Sequence, residues 1–124
     1  MPQAKEGTGE ETGSASRDIS RAMVALYKEY VGRGPTHART VIDDNLVVVL
    51  LEDTMIKAEK TLAAEGEEDL VRGVRHVFQG KFRKDANSIV ERAVGRKVKA
   101  FLSDHAIEPD IACEVFVLEG EDDV

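Results

Sequence analysis

The chain of 124 residues is 42% hydrophobic, carries a formal net charge of -7, and contains one cysteine and no tryptophan. This length suits one domain with its own core. The lone Cys113 excludes an internal disulfide framework, and the negative charge argues against nucleic-acid binding through bulk attraction. Because neither a signal peptide nor a transmembrane segment is recognisable, we expect a cytoplasmic protein.

The first fifteen residues, rich in Gly, Glu, Thr and Ser, predict a disordered tail over residues 1–15, since no large apolar side chain after Met1 offsets the entropy of ordering. A single domain is predicted over residues 16–119, and an acidic tail over residues 120–124. Ser16 suits the N-cap of a helix that runs to Val31. The apolar residues of this helix recur at helical spacing: Ile19, Met23, Leu26 and Tyr30.

A hairpin is predicted next, with strands His37–Asp43 and Leu46–Glu52 joined by a turn at Asp44-Asn45. The second strand begins with six consecutive apolar residues, whereas a strand with one solvated face alternates. We therefore expect apolar partners on both of its faces.

Two helices follow in the prediction. Asp53 or Thr54 is expected to cap a short helix that ends at Glu65, and a longer helix then runs to Val94 before Gly95. The longer helix has apolar residues near a period of 3.6, which predicts that one stripe is buried. This stripe comprises Leu70, Val74, Val77, Phe78, Phe82, Ile89 and Ala93.

Residues Lys97–Ser103 alternate as a half-exposed strand, His105–Asp110 form a loop, and Ile111–Glu119 form a strand that is apolar on both sides toward its end. The order α-β-β-α-α-β-β predicts a single-domain α+β fold with a four-stranded, mainly antiparallel sheet packed by helices. Three helices leave part of such a sheet uncovered, which motivates a homodimer or partner interface. Its predicted residues are Val47, Val49, Leu51, Phe116 and Leu118.

No nucleophile, acid–base pair or metal-ligand spacing converges, so the interpretation leans away from an enzyme and includes no cofactor and no metal. Ser103-Asp104-His105 has the residue types of a hydrolase triad, but neighbours on a strand point to alternate faces. A strand end with a turn explains these residues better.

The basic charge is concentrated in residues 72–99, where nine basic and two acidic residues give a net charge of +7. Solvated helix surface explains such a segment, and binding of an anion or an acidic partner is the alternative. The glycine-rich turn at residues 32–35 offers a second anion-binding candidate, although a helix stop followed by a turn also explains it. The candidate anion-binding residues are Arg33, Gly34, Arg39, Arg96 and Lys97.

Several segments together carry a family resemblance across residues 18–118: Ile19–Tyr30, Gly32–Arg39, Leu50–Thr54, Ala58–Leu62, Gly95–Val98, Phe101–Asp104, Pro109-Asp110 and Glu114–Leu118. In these segments the chain resembles the MpsC-like family, named for the C component of a sodium-translocating membrane-potential-generating system and classed as a domain of unknown function. The resemblance implies a small soluble domain that works beside a membrane system for ion or inorganic-carbon transport. It carries over no catalytic residues.

We therefore predict a non-enzymatic, cytoplasmic, homodimeric interaction or regulatory module, peripheral to a membrane-transport complex. A sensor of small anions or nucleotides is the alternative. An RNA-binding module is less favoured, because the element order loosely resembles the second type of KH domain but the Gly-x-x-Gly loop is missing at Gly66-Glu67-Glu68-Asp69. No nucleic-acid partner is expected.

Overall fold

The computed structural model describes residues 2–120, with side chains from residue 13 onward. Three helices and four strands follow the predicted order α-β-β-α-α-β-β, which confirms the α+β class. The elements are α1 (Pro2–Val31), β1 (His37–Asp43), β2 (Leu46–Glu52), α2 (Lys57–Ala64), α3 (Glu68–Val94), β3 (Val98–Ala106) and β4 (Ile111–Leu118). Residues 121–124 of the predicted acidic tail lie outside the described residues.

The four strands form one sheet in the order β1-β2-β4-β3, and every neighbouring pair is antiparallel. The predicted hairpin is confirmed, with the turn at Asp44, whose φ of 53° is left-handed. β2 and β4 occupy the centre of the sheet. Each of these two strands has a neighbour on both sides, which satisfies its backbone hydrogen bonds but covers neither of its faces.

The core lies between one face of the sheet and the helices α1 and α3. Ile19, Met23 and Tyr27 of α1 and Phe82 and Val90 of α3 are at most 2% exposed. They pack against the alternate residues of the central strands that point to the same side. These strand residues are Val47, Val49, Leu51, Ala112, Phe116 and Leu118.

Two predicted helix starts are wrong. α1 begins at Pro2 rather than at Ser16, and a proline is compatible with a first turn because its missing N–H needs no partner there. α2 begins after Ile56, and neither Asp53 nor Thr54 caps it. Instead, the Glu59 carboxylate reaches back and accepts a hydrogen bond from the Ile56 N–H at 3.0 Å.

The predicted stripe on α3 is correct only in its C-terminal half. Leu70, Val74 and Val77 are 52%, 40% and 58% exposed, because the first part of α3 packs on α2 instead of on the sheet. There the buried position is Val71, which joins a small second cluster. From its middle, at Phe82, the helix reaches the main core, and it stops as predicted at Gly95, whose φ is 71°.

The C-terminal hairpin is displaced slightly from its prediction. β3 continues to Ala106, so His105 belongs to the strand and not to the loop. A register shift between Val98 and Ala100 marks a bulge at its beginning. β4 ends at Leu118, one residue before the predicted end at Glu119.

Candidate functional site

The face of the sheet that points away from α1 and α3, here called the open face, presents exposed apolar side chains to solvent. The strand registers arrange it in four rows that cross β1, β2, β4 and β3 in turn. One middle row is formed by Val41, Val48, Val115 and Leu102. The other middle row is formed by Arg39, Leu50, Cys113 and Asp104. One end row is formed by Asp43, Leu46, Val117 and Ala100. The other end row is formed by His37, Glu52, Ile111 and Ala106.

Large apolar side chains on the open face reach solvent. Leu102 is 57% exposed, Val41 45%, Leu46 39% and Leu50 37%. Isolated exposed apolar residues are common, but a contiguous set across four strands marks an interaction site more often than a free surface. The chemistry of this face is suited to packing against another apolar surface.

The five predicted interface residues lie on the opposite face from this one. Val47, Val49, Leu51, Phe116 and Leu118 are at most 1% exposed and belong to the core beneath α1 and α3. β2 is apolar on both faces, so its own residues do not distinguish the helix-covered face from the open one. The signal lies in the neighbouring strand β1, which places His37, Arg39 and Asp43 on the open face. Successive residues of a strand point to opposite faces, so the residues of the open face are those directly before and after these five in the sequence.

The predicted anion-binding residues are not brought together. Arg33 forms an ion pair with Asp53 at one end of the sheet, whereas Arg96 and Lys97 lie at the other end. Arg96 donates hydrogen bonds to the backbone carbonyls of Glu119 and Asp44 at 2.9 Å.

The other three candidates do not form an anion site either. Lys97 lies 3.9 Å from Glu91, and Arg39 is on the open face. At Gly34, an added Cβ would lie 3.2 Å from the Val24 side chain, so this glycine allows the chain to approach α1 closely. Its role here is packing against the helix.

A cleft of about 750 Å³ opens at the end of the sheet beside α2. Met55, Ile107 and Pro109 contribute apolar lining, and Lys60 contributes a cation. Five carboxylates line it as well: Glu52, Asp53, Glu68, Glu108 and Asp110. This excess of negative charge opposes an anionic or nucleotide ligand in the cleft.

A buried polar network anchors the wall of this cleft. Arg75 is 4% exposed and donates through Nε and Nη2 to both oxygens of Glu59, each at 2.7 Å. The same Nη2 donates to the Thr54 carbonyl at 2.7 Å. A bidentate pair with an additional carbonyl acceptor satisfies much of the hydrogen-bonding capacity of a buried guanidinium.

Asp110 connects this network to the β3–β4 hairpin. Its carboxylate accepts from the Met55 N–H at 2.8 Å and the Thr54 hydroxyl at 3.1 Å, and lies 2.7 Å from His105 Nε2. Burial alone would raise the pKa of Asp110, but the hydrogen bonds from His105, Met55 and Thr54 lower it overall. Because all these partners come from the connection after β2 and from the hairpin, we assign the network a structural role.

A second buried carboxylate lies in the main core. Glu114 on β4 is fully buried, and its Oε1 accepts a hydrogen bond from the Tyr27 hydroxyl of α1. Burial raises the pKa of Glu114 to about 7, an effect that the hydrogen bond from Tyr27 only partly offsets. Burial, together with the adjacent Glu114 charge, raises the pKa of Tyr27 as well.

Neither hydrolase nor metal geometry is present in the described residues. Ser103 and His105 point into the core side of β3 while Asp104 points to the open face, so the three side chains cannot form a triad. No group of three or more His, Cys, Asp or Glu residues in the described part of the chain is positioned to hold a metal ion.

The sequence reasoning missed Tyr27, Glu59, Arg75 and Glu114. A signal existed for Glu114, because it is the one charged residue among Ala112, Phe116 and Leu118 on an otherwise apolar strand face. A charge in that position indicates either an exposed face or a buried, hydrogen-bonded group. No comparable signal existed for its partner, since Tyr27 is 87 residues away.

The fold and the open face together define a small α+β domain whose sheet is covered by helices on one side. The chain belongs to the MpsC family, described as the Na+-translocating membrane potential-generating system (MpsC), whose family model matches residues 11–120. This membership associates the chain with a membrane system. Among the residues that the structure describes, no helix combines the length and apolar character needed to cross a bilayer.

Two curated relatives are similar over most of their length. The chain is 31% identical over 100 residues to the uncharacterized protein YrhF of Bacillus subtilis (strain 168). The aligned region covers 79% of this chain and 82% of YrhF. It is 27% identical over 93 residues to the uncharacterized protein YbcI of the same organism, and this aligned region covers 74% of this chain and 75% of YbcI. No solved structure matches the chain significantly.

Proposed function

We propose that this protein is a non-enzymatic, cytoplasmic interaction module that forms a homodimer through its open face and serves a membrane ion or inorganic-carbon transport system. The observation that carries the proposal is the continuous apolar surface across all four strands, with Leu102 and Val41 as its most exposed large members. The link to a membrane system rests on the family description.

The size of the open face supports a stable contact. Strands of seven to nine residues, four abreast at about 4.8 Å spacing, present roughly 500 Å² of projected area, and the side chains add accessible surface to this value. Stable interfaces bury about 600–1,000 Å² per partner. Two such faces packed together form a β-sandwich core of the kind found inside single domains.

An anion or nucleotide sensor has less support as the function. Two of its candidate residues, Arg33 and Arg96, lie at opposite ends of the sheet and already have partners. The cleft beside α2 has the wrong charge for such a ligand.

Sedimentation equilibrium with a matched pair of variants tests the proposal. Leu102→Lys places a charge on the open face, and Leu70→Lys makes the same change on α3, where the leucine is similarly exposed at 52%. We expect a micromolar or tighter dimer for the wild type and for Leu70→Lys, and at least a tenfold weaker dimer for Leu102→Lys, because a lysine ammonium in an apolar contact is not paired. Circular dichroism confirms that both variants fold.

Two results would contradict the proposed function. A wild-type protein that stays monomeric at 100 micromolar, roughly a hundredfold above the micromolar scale, would remove the dimer. Equal weakening by Leu70→Lys and Leu102→Lys would show that the contact lies elsewhere or is nonspecific.

A further inference from the structure

Given the proposed homodimer, we infer that its two copies are related by a two-fold axis parallel to the strands, so that Arg39 of each copy pairs with Asp104 of the partner subunit. This inference rests on the proposed function and adds the arrangement of the two faces. The strand registers and the positions of the charged residues on the open face lead to it.

The charges within the middle rows are unevenly placed. The row Arg39, Leu50, Cys113, Asp104 begins with a cation on the edge strand β1 and ends with an anion on the other edge strand β3. The neighbouring row, Val41, Val48, Val115, Leu102, has no charge. One end of a single row is therefore positive and its other end is negative.

Two closed arrangements bring aligned open faces together. With the axis parallel to the strands, each row lies over its own copy in reverse, so β1 of one subunit covers β3 of the other and β2 covers β4. With the axis perpendicular to the strands, β1 covers β1 and the two middle rows cover each other.

The charges distinguish these arrangements. The strand-parallel axis places Arg39 over Asp104 of the partner subunit twice by symmetry. The perpendicular axis places Arg39 over Val41 and Asp104 over Leu102 of the partner subunit, which desolvates four charges without pairing them. Within the two middle rows, only the first arrangement pairs the charges. In the end rows it places Asp43 over Ala100 and Glu52 over Ile111 of the partner subunit, at the two ends of the strands.

The apolar residues are consistent with the same choice. In the strand-parallel arrangement Val41 covers Leu102 of the partner subunit, and Val48 covers Val115. Leu46 similarly covers Val117. The contact then has an apolar centre and a charged pair at either lateral edge, which is the usual anatomy of a stable interface.

Both charged side chains are available for this pairing. Arg39 is exposed and has no carboxylate within ion-pair distance among the side chains that the structure describes. Asp104 is exposed, and its Oδ1 accepts the backbone N–H of His105 at 2.8 Å, which orients the carboxylate and leaves Oδ2 for a partner. A long arginine opposite a short aspartate suits the roughly 10 Å between packed sheets.

Charge reversal measured by sedimentation equilibrium tests the pairing. We expect Arg39→Asp and Asp104→Arg each to weaken the dimer by about tenfold or more, since each places two like-charged pairs in the contact. The double variant Arg39→Asp/Asp104→Arg should recover the wild-type dissociation constant to within about threefold. As a matched control, Asp43→Arg combined with Arg39→Asp should give no recovery, because Asp43 lies in another row.

Cysteine crosslinking tests the axis independently of the charge. In a Cys113→Ser background, a short bis-maleimide should link Arg39→Cys/Asp104→Cys into a covalent dimer and leave each single cysteine variant unlinked. Three strand spacings, about 14 Å, separate the two positions within one subunit, so an intramolecular link is out of reach. Thermal melts confirm that each variant folds.

The outcomes separate the arrangement from the function. The strand-parallel axis is wrong if Arg39→Cys alone crosslinks and the double charge reversal gives no recovery. If Leu102→Lys still weakens the dimer in that case, the open-face dimer itself stands. A monomeric wild type, or a dimer insensitive to Leu102→Lys, overturns both. Recovery together with crosslinking of only the double cysteine variant supports the arrangement.

Discussion

Replacing Glu114 by glutamine should make the protein more stable at neutral pH and remove part of the pH dependence of its stability. The buried carboxyl has a pKa of about 7 in the folded protein, against an ordinary value of 4.5. Between these values the unfolded chain has released the proton while the folded protein keeps it. The free energy of unfolding therefore falls as the pH rises through this window.

The magnitude follows from the width of the window. Each pH unit corresponds to about 1.4 kcal/mol, so the raised pKa costs about 3 kcal/mol of stability at pH 7 and above, and nothing well below pH 4.5. A glutamine at position 114 keeps an acceptor for the Tyr27 hydroxyl and carries no charge at any pH. We expect Glu114→Gln to match the wild type near pH 4 and to exceed its free energy of unfolding by about 3 kcal/mol at pH 8.

Urea denaturation followed by circular dichroism at pH 4 to 8 measures this difference. The same substitution at an exposed position of α1, Glu29→Gln, is the control. Asp110 makes an opposite contribution, because its pKa is lowered in the folded protein: its carboxylate stabilises the protein above the pKa of the unfolded chain, and this stabilisation is lost as the pH falls. The difference in free energy of unfolding between wild type and variant cancels this contribution, since Asp110 is present in both. A difference between wild type and Glu114→Gln that stays constant from pH 4 to 8 would refute the reasoning.

Three further changes test the packing and the buried network by the same urea assay. Tyr27→Phe removes the hydrogen bond that lowers the pKa of Glu114, so the stability loss should extend to higher pH; an unchanged profile would contradict this. Arg75→Met leaves the buried Glu59 carboxylate unpaired and should cost about 3–5 kcal/mol, whereas Arg75→Met/Glu59→Met should recover most of that loss. Gly34→Ala forces a 3.2 Å contact with α1 and should destabilise the protein by about 1 kcal/mol, while Gly73→Ala, with open space around it in mid-helix, should stabilise it by a similar amount. Equal effects of the two glycine changes would argue against the close approach at Gly34.

Local signals were sufficient to predict the strands and the helix ends at glycine. The hairpin of β1 and β2 was predicted at its observed bounds, because alternation, an apolar run and an Asp-Asn turn are all local properties. Gly95 ended α3 as expected, since a left-handed C′ position favours glycine. These features depend on neighbouring residues alone.

The missed features depend on contacts between distant parts of the chain. Arg75 and Glu59 are on different helices, and Tyr27 and Glu114 are separated by 87 residues, so no sequence spacing predicts either pair. The first turns of α3 were assigned the wrong buried side because their partner is α2 and not the sheet. Helical period predicts that a stripe exists, but the element that packs on it decides its phase.

The unequal chemistry of the two faces of β4 is the strongest physical argument for an external partner. The face beneath the helices contains the carboxyl of Glu114, while the open face is formed by Ile111, Cys113, Val115 and Val117 without a charge. A monomer thus buries a carboxyl that is costly to desolvate and leaves the uncharged face of β4 only half-buried. In a dimer joined through the open face, the uncharged face of β4 is covered as well, while Glu114 stays in the core. The apolar run of β2 then has the same explanation, because each of its faces packs against an apolar layer.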